Sequence, residues 1–103
     1  MSLKKDFKFD PSLAELANFH FAFSHPARLQ IIARLRANSK LGLAELARDI
    51  PLHHATVSQH IAILRRTQLI QPVERRDGST GYQLDTEAYS YFQSQYHLFS
   101  KQT

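Results

Sequence analysis

The chain has 103 residues, 13 lysines and arginines against nine acids, a formal net charge of +4, and no cysteine. That length suits one domain with its own core and leaves no room for a separate effector domain, and the missing thiols exclude a disulfide framework, a thiolate metal site and a thiol redox sensor. No apolar run approaches the ~18 residues of a membrane span, and the start alternates lysines with Phe7 and Phe9 instead of building a signal-peptide core, so the cytoplasm is the expected compartment.

Met1 to Asp10 reads as a polar lead-in. From Pro11 to Phe23 a helix is predicted whose apolar residues, among them Leu13, Leu16, Phe19, Phe21 and Phe23, cover more than one face and therefore require two partners. Ser24-His25-Pro26 punctuates it: Ser24 or His25 can cap the next helix, and Pro26 suits a first turn. That second helix, Ala27 to about Ala37, sends Leu29, Ile31, Ile32 and Leu35 to the core.

The most informative stretch is Leu43 to Leu64. Leu43, Leu46, Ala47 and Ile50 recur at i, i+3, i+4 and i+7, the stripe of a helix laid on a core, and Pro51 stops it. From His54 the pattern restarts with Val57, Ile61 and Leu64 on one face, while Ala55, Gln59, Ala62 and Arg66, flanked by Thr56 and Ser58, occupy the other. Two short helices across a tight bend, the second with a small, polar outer face, make a helix-turn-helix able to bring hydroxyls and an amide to base edges. The charge agrees. Between Arg28 and Asp77 nine lysines and arginines face four acids, whereas the remainder of the chain is slightly acidic.

After the second helix of this unit, Ile70 to Arg76 and Tyr82 to Leu84 read as strands around Asp77-Gly78-Ser79-Thr80-Gly81, and Pro72 confines its strand to an edge. Arg75 and Arg76 stand just before the tip of this hairpin, where a wing meets the phosphate backbone or the minor groove. Thr86 to about Lys101 is again helical by pattern, with Tyr89, Tyr91, Phe92, Tyr96 and Phe99 and almost no charge. Aromatic surface on that scale marks an interface, and the first helix shares the excess, so the two together suit a two-fold dimer face built from Leu16, Phe19, Phe23, Tyr89, Phe92 and Tyr96.

Ser24-His25-Pro26-Ala27-Arg28-Leu29, Leu43-Ala44-Glu45-Leu46-Ala47, Thr56-Val57-Ser58-Gln59-His60-Ile61, Leu64-Arg65-Arg66 and the closing Tyr82-Gln83-Leu84-Asp85, in this order and spacing, resemble the ArsR/SmtB family of bacterial winged-helix repressors over nearly all of Leu13 to Tyr96. The resemblance implies a homodimer joined through its first and last helices and a recognition helix in the major groove of duplex DNA at an inverted-repeat operator. Carried over by position, His54, Ala55, Thr56, Ser58 and Gln59 face base edges, and Arg65, Arg66, Arg75 and Arg76 face phosphates. His60 matches a recurrent family histidine, but its place about 60° from the Val57/Ile61/Leu64 direction assigns it to the core edge.

The departures matter as much. Gly42 and Ala44 stand where many members carry a Cys-x-Cys sensor, and Asp85-Thr86-Glu87 with Leu98 and Lys101 replaces the terminal-helix metal ligands, so no metal site and no cofactor are expected and the effector stays unknown. Gln68 occupies the place where the family usually has glycine after the recognition helix. The expected fold is mainly α with a small β-hairpin, about five helices plus a two-stranded wing, within one domain over 1–103: lead-in 1–10, dimer helices 11–23 and 86–101, helix-turn-helix 43–66, wing 70–84. Two other classes compete, a winged-helix protein-interaction module and a sensor with a novel histidine metal site. An enzyme is not expected, because the chain has neither a glycine-rich phosphate loop nor a nucleophile-elbow pattern.

Overall fold

The computed structural model describes residues 8–103, so most of the predicted lead-in lies outside the described residues. Helix α1, Pro11–Ala22, opens on Asp10, whose carboxylate accepts the Ser12 amide at 2.9 Å. Helix α2, Pro26–Ala37, follows after three residues. Of the two caps the sequence offers, His25 is the one used: its Nδ1 accepts the Ala27 amide at 3.0 Å, with Pro26 in the first turn.

Helix α3 spans only Leu43–Ala47. Ile50 is buried as predicted, but through a turn closed by its amide on the Ala47 carbonyl, since the residue before a proline is disfavoured in the helical region. The longer helix α4, His54–Arg66, buries Val57, Ile61 and Leu64 against Leu46, Ala47, Ile31 and Ile32, so one hydrophobic core joins α2, α3 and α4 and takes in Phe19 and Ala22 of α1.

Gln68 after α4 has φ 66°, the left-handed conformation ordinarily left to glycine. The reason is in the hydrogen bonds. The Leu69 amide bonds the Leu64 carbonyl at 3.2 Å and the Gln68 amide the Arg65 carbonyl at 3.0 Å, the Schellman closure, and Leu64 and Leu69 are both fully buried. The chain bears the strain of a side chain at φ > 0 to turn sharply from α4 into the strand that follows.

Strands β1, Ile70–Glu74, and β2, Thr80–Leu84, pair antiparallel from Ile70↔Leu84 to Glu74↔Thr80. Pro72, opposite Tyr82, lies on the strand that pairs on one side only, as its missing N–H demands. The other side of β2 is tied to the segment before α3: Leu41 and Tyr82 form an isolated bridge, with the Lys40 amide on the Tyr82 carbonyl and the Tyr82 amide on the Leu41 carbonyl, both at 2.9 Å. Gly81 allows this approach.

Helix α5, Thr86–Gln102, starts on Asp85, whose carboxylate accepts the Ala88 amide at 3.0 Å. It packs on α1 through rings: Phe92 lies 5.1 Å from Phe19, 5.0 Å from Phe23 and 5.5 Å from His20 by centroid, and Tyr89 flanks Phe23. Five of the six residues proposed from sequence for a dimer face, Phe19, Phe23, Tyr89, Phe92 and Tyr96, therefore already meet within one chain, and the sixth, Leu16, is buried. None of the residues of α5 is fully buried, and Leu13, Tyr91, Tyr96, Leu98 and Phe99 stand exposed on α1 and α5. No helix among the described residues is long and apolar enough to cross a membrane.

Candidate nucleic-acid interface

At 13 residues α4 is about 20 Å long, enough to lie along a stretch of DNA groove. Its burial follows the sequence wheel. Val57, His60, Ile61 and Leu64 are buried, whereas His54, Ala55, Ser58, Gln59, Ala62, Arg65 and Arg66 are exposed, with Thr56 half-buried at the border. His53 caps α4 without a side-chain hydrogen bond, which leaves the first amides of the helix open to solvent or an anion. Arg65 and Arg66 sit in the last turn, where cations also oppose the helix dipole.

The predicted wing arginines part company. Arg76 is exposed at the loop, whereas Arg75 is half-buried and turned back: its Nη1 bonds Glu45 Oε1, and the same oxygen accepts the Gly42 amide at 2.8 Å. Arg75 thus clamps the wing onto the start of α3. The two donors, the Gly42 amide first and Arg75 next, hold the Glu45 carboxyl below its usual range. At the tip the Arg75 amide bonds the Ser79 carbonyl at 2.8 Å, Gly78 takes φ 84°, and Asp77 accepts both the Ser79 amide and hydroxyl, which lowers its pKa too.

Other cations of the basic middle are likewise committed. Arg28 is buried, Arg34 donates to the Glu45 carbonyl at 2.8 Å and lies 3.7 Å from Asp49, and Arg36 covers the Tyr89 ring at 5.1 Å. Lys40, Arg48, Arg65, Arg66 and Arg76 remain exposed, with no ion pair among the described residues. The charge excess read from sequence is therefore carried outward by fewer side chains than the count suggests. Two features escaped the sequence reading. The Glu45 contact to Gly42 was legible as half of a capping box, glutamate three residues after the cap, but its pairing with Arg75 across 30 residues had no local signal. The same holds for the contact of Arg28 with His60, 32 residues apart.

A family profile described as a helix-turn-helix domain matches residues 23–73. Among solved structures the chain is similar to an ArsR-like transcriptional regulator from Rhodococcus sp. RHA1, with a TM-score of 0.76 at 19% identity over 90% of this chain and 86% of that one. It is also similar to the transcriptional repressor BigR from Xylella fastidiosa, with a TM-score of 0.63 at 25% identity over 96% and 97% of the two chains. The chain has the winged helix-turn-helix fold of ArsR-type regulators. Reduced HlyU from Vibrio cholerae N16961 is a further relative, with a TM-score of 0.66 at 28% identity over 86% of this chain and 93% of that one. No curated protein matches the chain by sequence. Within this winged helix-turn-helix frame α4 is the second helix of the helix-turn-helix and the β1–β2 hairpin the wing, and no three histidine or acidic side chains among the described residues come together as a metal site.

Proposed function

We propose that the chain is a transcriptional repressor that acts in the cytoplasm as a homodimer on an inverted-repeat operator. One observation carries the reading: the outer face of α4 is small, polar and exposed over His54, Ala55, Ser58 and Gln59, and it runs into the uncommitted Arg65 and Arg66. Thr56 borders that face. Small side chains let backbone and amide approach base edges, and unpaired arginines supply the phosphate contacts that position the helix. Arg76 adds a contact from the wing, while Arg75 serves by holding the wing in place. The whole of 1–103 acts as one binding domain, and binding rather than catalysis is its activity.

For the dimer the support is the exposed apolar strip of Leu13, Tyr96, Leu98 and Phe99 left after α1 and α5 pack together. Two copies joined there would present two recognition helices about one helical turn, roughly 34–36 Å, or an integral multiple apart.

The experiment is selection of bound fragments from random duplex, followed by salt titration of wild type and Gln59→Ala on the selected site. Phosphate contacts make log K fall steeply with log salt, and loss of one amide contact costs about 1–3 kcal/mol per half-site with relaxed preference at one base pair. A salt-independent association, or none, would favour a protein-interaction module. Equal weakening on all sequences would remove Gln59 from base reading.

A further inference from the structure

Behind the DNA-facing side of α4 lies a buried polar cluster that DNA contact does not use. Arg28 is 5% exposed and has no carboxylate partner among the described residues. Its charge is held instead by the end of α1: Nε donates to the Ala22 carbonyl at 3.1 Å, Nη2 to the Phe21 carbonyl at 2.9 Å and to Ser24 Oγ at 2.8 Å, and the guanidinium stacks 5.0 Å over the Phe21 ring. The remaining nitrogen, Nη1, meets Nδ1 of His60 at 3.0 Å.

That contact decides the state of His60. A guanidinium has donors only and keeps its proton at every pH a folded protein meets, so Nδ1 of His60 must present a lone pair and the ring is neutral, protonated at Nε2. The cap on α2 imposes the same state on His25, since the Ala27 amide can only donate to its Nδ1. The two rings lie 4.2 Å apart. The titratable and charged groups facing His60 are thus His25 at the head of α2 and Arg28 within it, while α1 brings carbonyls and the Phe21 ring, the connection to α2 brings the Ser24 hydroxyl, and no carboxylate among the described residues bonds any of the three side chains. Burial first, then His25 and Arg28, hold the His60 pKa below its usual 6.5.

We propose that His25, Arg28 and His60 form an acid-sensitive latch that docks the recognition helix onto α1 and α2, and that releases duplex DNA as the pH falls below neutrality. Protonation of His60 at Nδ1 removes the one side-chain hydrogen bond from α4 to α2 and sets a second cation against Arg28. The sign follows from linkage: a histidine whose folded pKa is depressed contributes its full stability above 6.5, and the contribution is lost as pH falls from there through the folded value, about tenfold in the folding equilibrium for each unit of depression. Exposed His53 and His54 stand at the start of α4, outside this cluster.

The DNA part of this inference rests on the function proposed above, and the test separates the two. Asparagine places Oδ1 where imidazole has Nδ1, so His25→Asn with His60→Asn keeps both acceptors, caps α2 and cannot titrate. Urea midpoints of the full chain without DNA, and affinity for random-sequence duplex, are measured from pH 8 to pH 5 for wild type and this double variant. The wild-type midpoint should fall below pH 6.5 while that of the variant changes less, and wild-type duplex affinity should drop at least threefold relative to the variant. Nitrogen-15 spectra of wild-type imidazoles give a readout independent of any substitution: His60 should show the Nε2–H tautomer and a pKa below 6.5. Parallel midpoints, or a His60 that titrates at or above its ordinary value, would overturn the latch. Duplex binding at pH 7.5 with parallel midpoints would sink the latch and leave the DNA reading intact. A titrating latch in a chain that binds no duplex at any pH would do the reverse.

Discussion

Gly81→Ala should unfasten the wing, and the cost can be worked from the geometry. An added Cβ would lie 2.6 Å from the Lys40 carbonyl oxygen and 2.9 Å from both the Lys40 carbonyl carbon and Arg75 Cδ. Two of these three neighbours are backbone. A carbon–oxygen contact needs about 3.3 Å, so β2 must retreat from Lys40 by roughly 0.7 Å. That stretches the two 2.9 Å bonds between Lys40–Leu41 and Tyr82 to about 3.6 Å, beyond useful length. Two backbone bonds at about 1 kcal/mol each, plus partial desolvation without a partner, come to about 2–4 kcal/mol, of which the lower entropy of the unfolded alanine chain offsets about 0.5 kcal/mol. Gly78→Ala is the control, since its Cβ meets nothing within 4 Å and only φ 84° opposes it, about 1 kcal/mol before the same relief. With a urea slope of about 1.5 kcal/mol/M, the midpoint should drop by about 1–2 M for Gly81→Ala and by less than about 0.7 M for Gly78→Ala. The assay is equilibrium urea unfolding followed by circular dichroism. If Gly81→Ala costs no more than Gly78→Ala, the close approach of β2 to Lys40 is not a feature of the folded chain.

Arg76→Ala should weaken selected and random duplex alike and flatten the salt dependence by roughly one unit of slope, whereas Arg75→Ala should lower the urea midpoint with little change of slope, since Arg75 is spent on Glu45; the reverse pattern would put Arg75 on the DNA. Gln68→Gly should stabilise the chain by about 0.5–1 kcal/mol by relieving φ 66° at the end of α4, and an unchanged or lower midpoint in urea would refute strain there. Leu98→Asp should give a monomer by sedimentation with its fold intact, because that side chain is 52% exposed, whereas Phe92→Asp should also destabilise the monomer through lost contacts with Phe19 and Phe23. A Leu98→Asp variant that stays dimeric would move the proposed dimer face elsewhere.

Local pattern was enough to place every helix and the hairpin. Apolar spacing at 3.6 residues, the cap at Ser24 or His25, and the turn residues around Gly78 act over a few positions, so they survive in the sequence as short-range signals. The outer face of α4 was legible for the same reason, because a wheel fixes which side chains share a face once the buried stripe is known. The burial of His60 could be read from that wheel, but its partner could not.

What tertiary structure alone decided is how each charge and each ring is used. Arg75 and Arg76 are adjacent in sequence and equal in charge, yet one clamps Glu45 and the other faces solvent, because the choice depends on where a hairpin folds against a helix 30 residues earlier. Arg28 counted toward a basic surface and is in fact buried between α1 and His60. The aromatic excess of α1 and α5 pointed to an interface, and the fold spends Phe19, Phe23, Tyr89 and Phe92 on the interface between those two helices, with Tyr96 at its exposed edge against Phe92 and His20, leaving Leu13, Leu98 and Phe99 outside. Composition counts side chains without their directions. Only the packing of elements distant in the chain settles which of them a carbonyl, a carboxylate or another ring has already claimed.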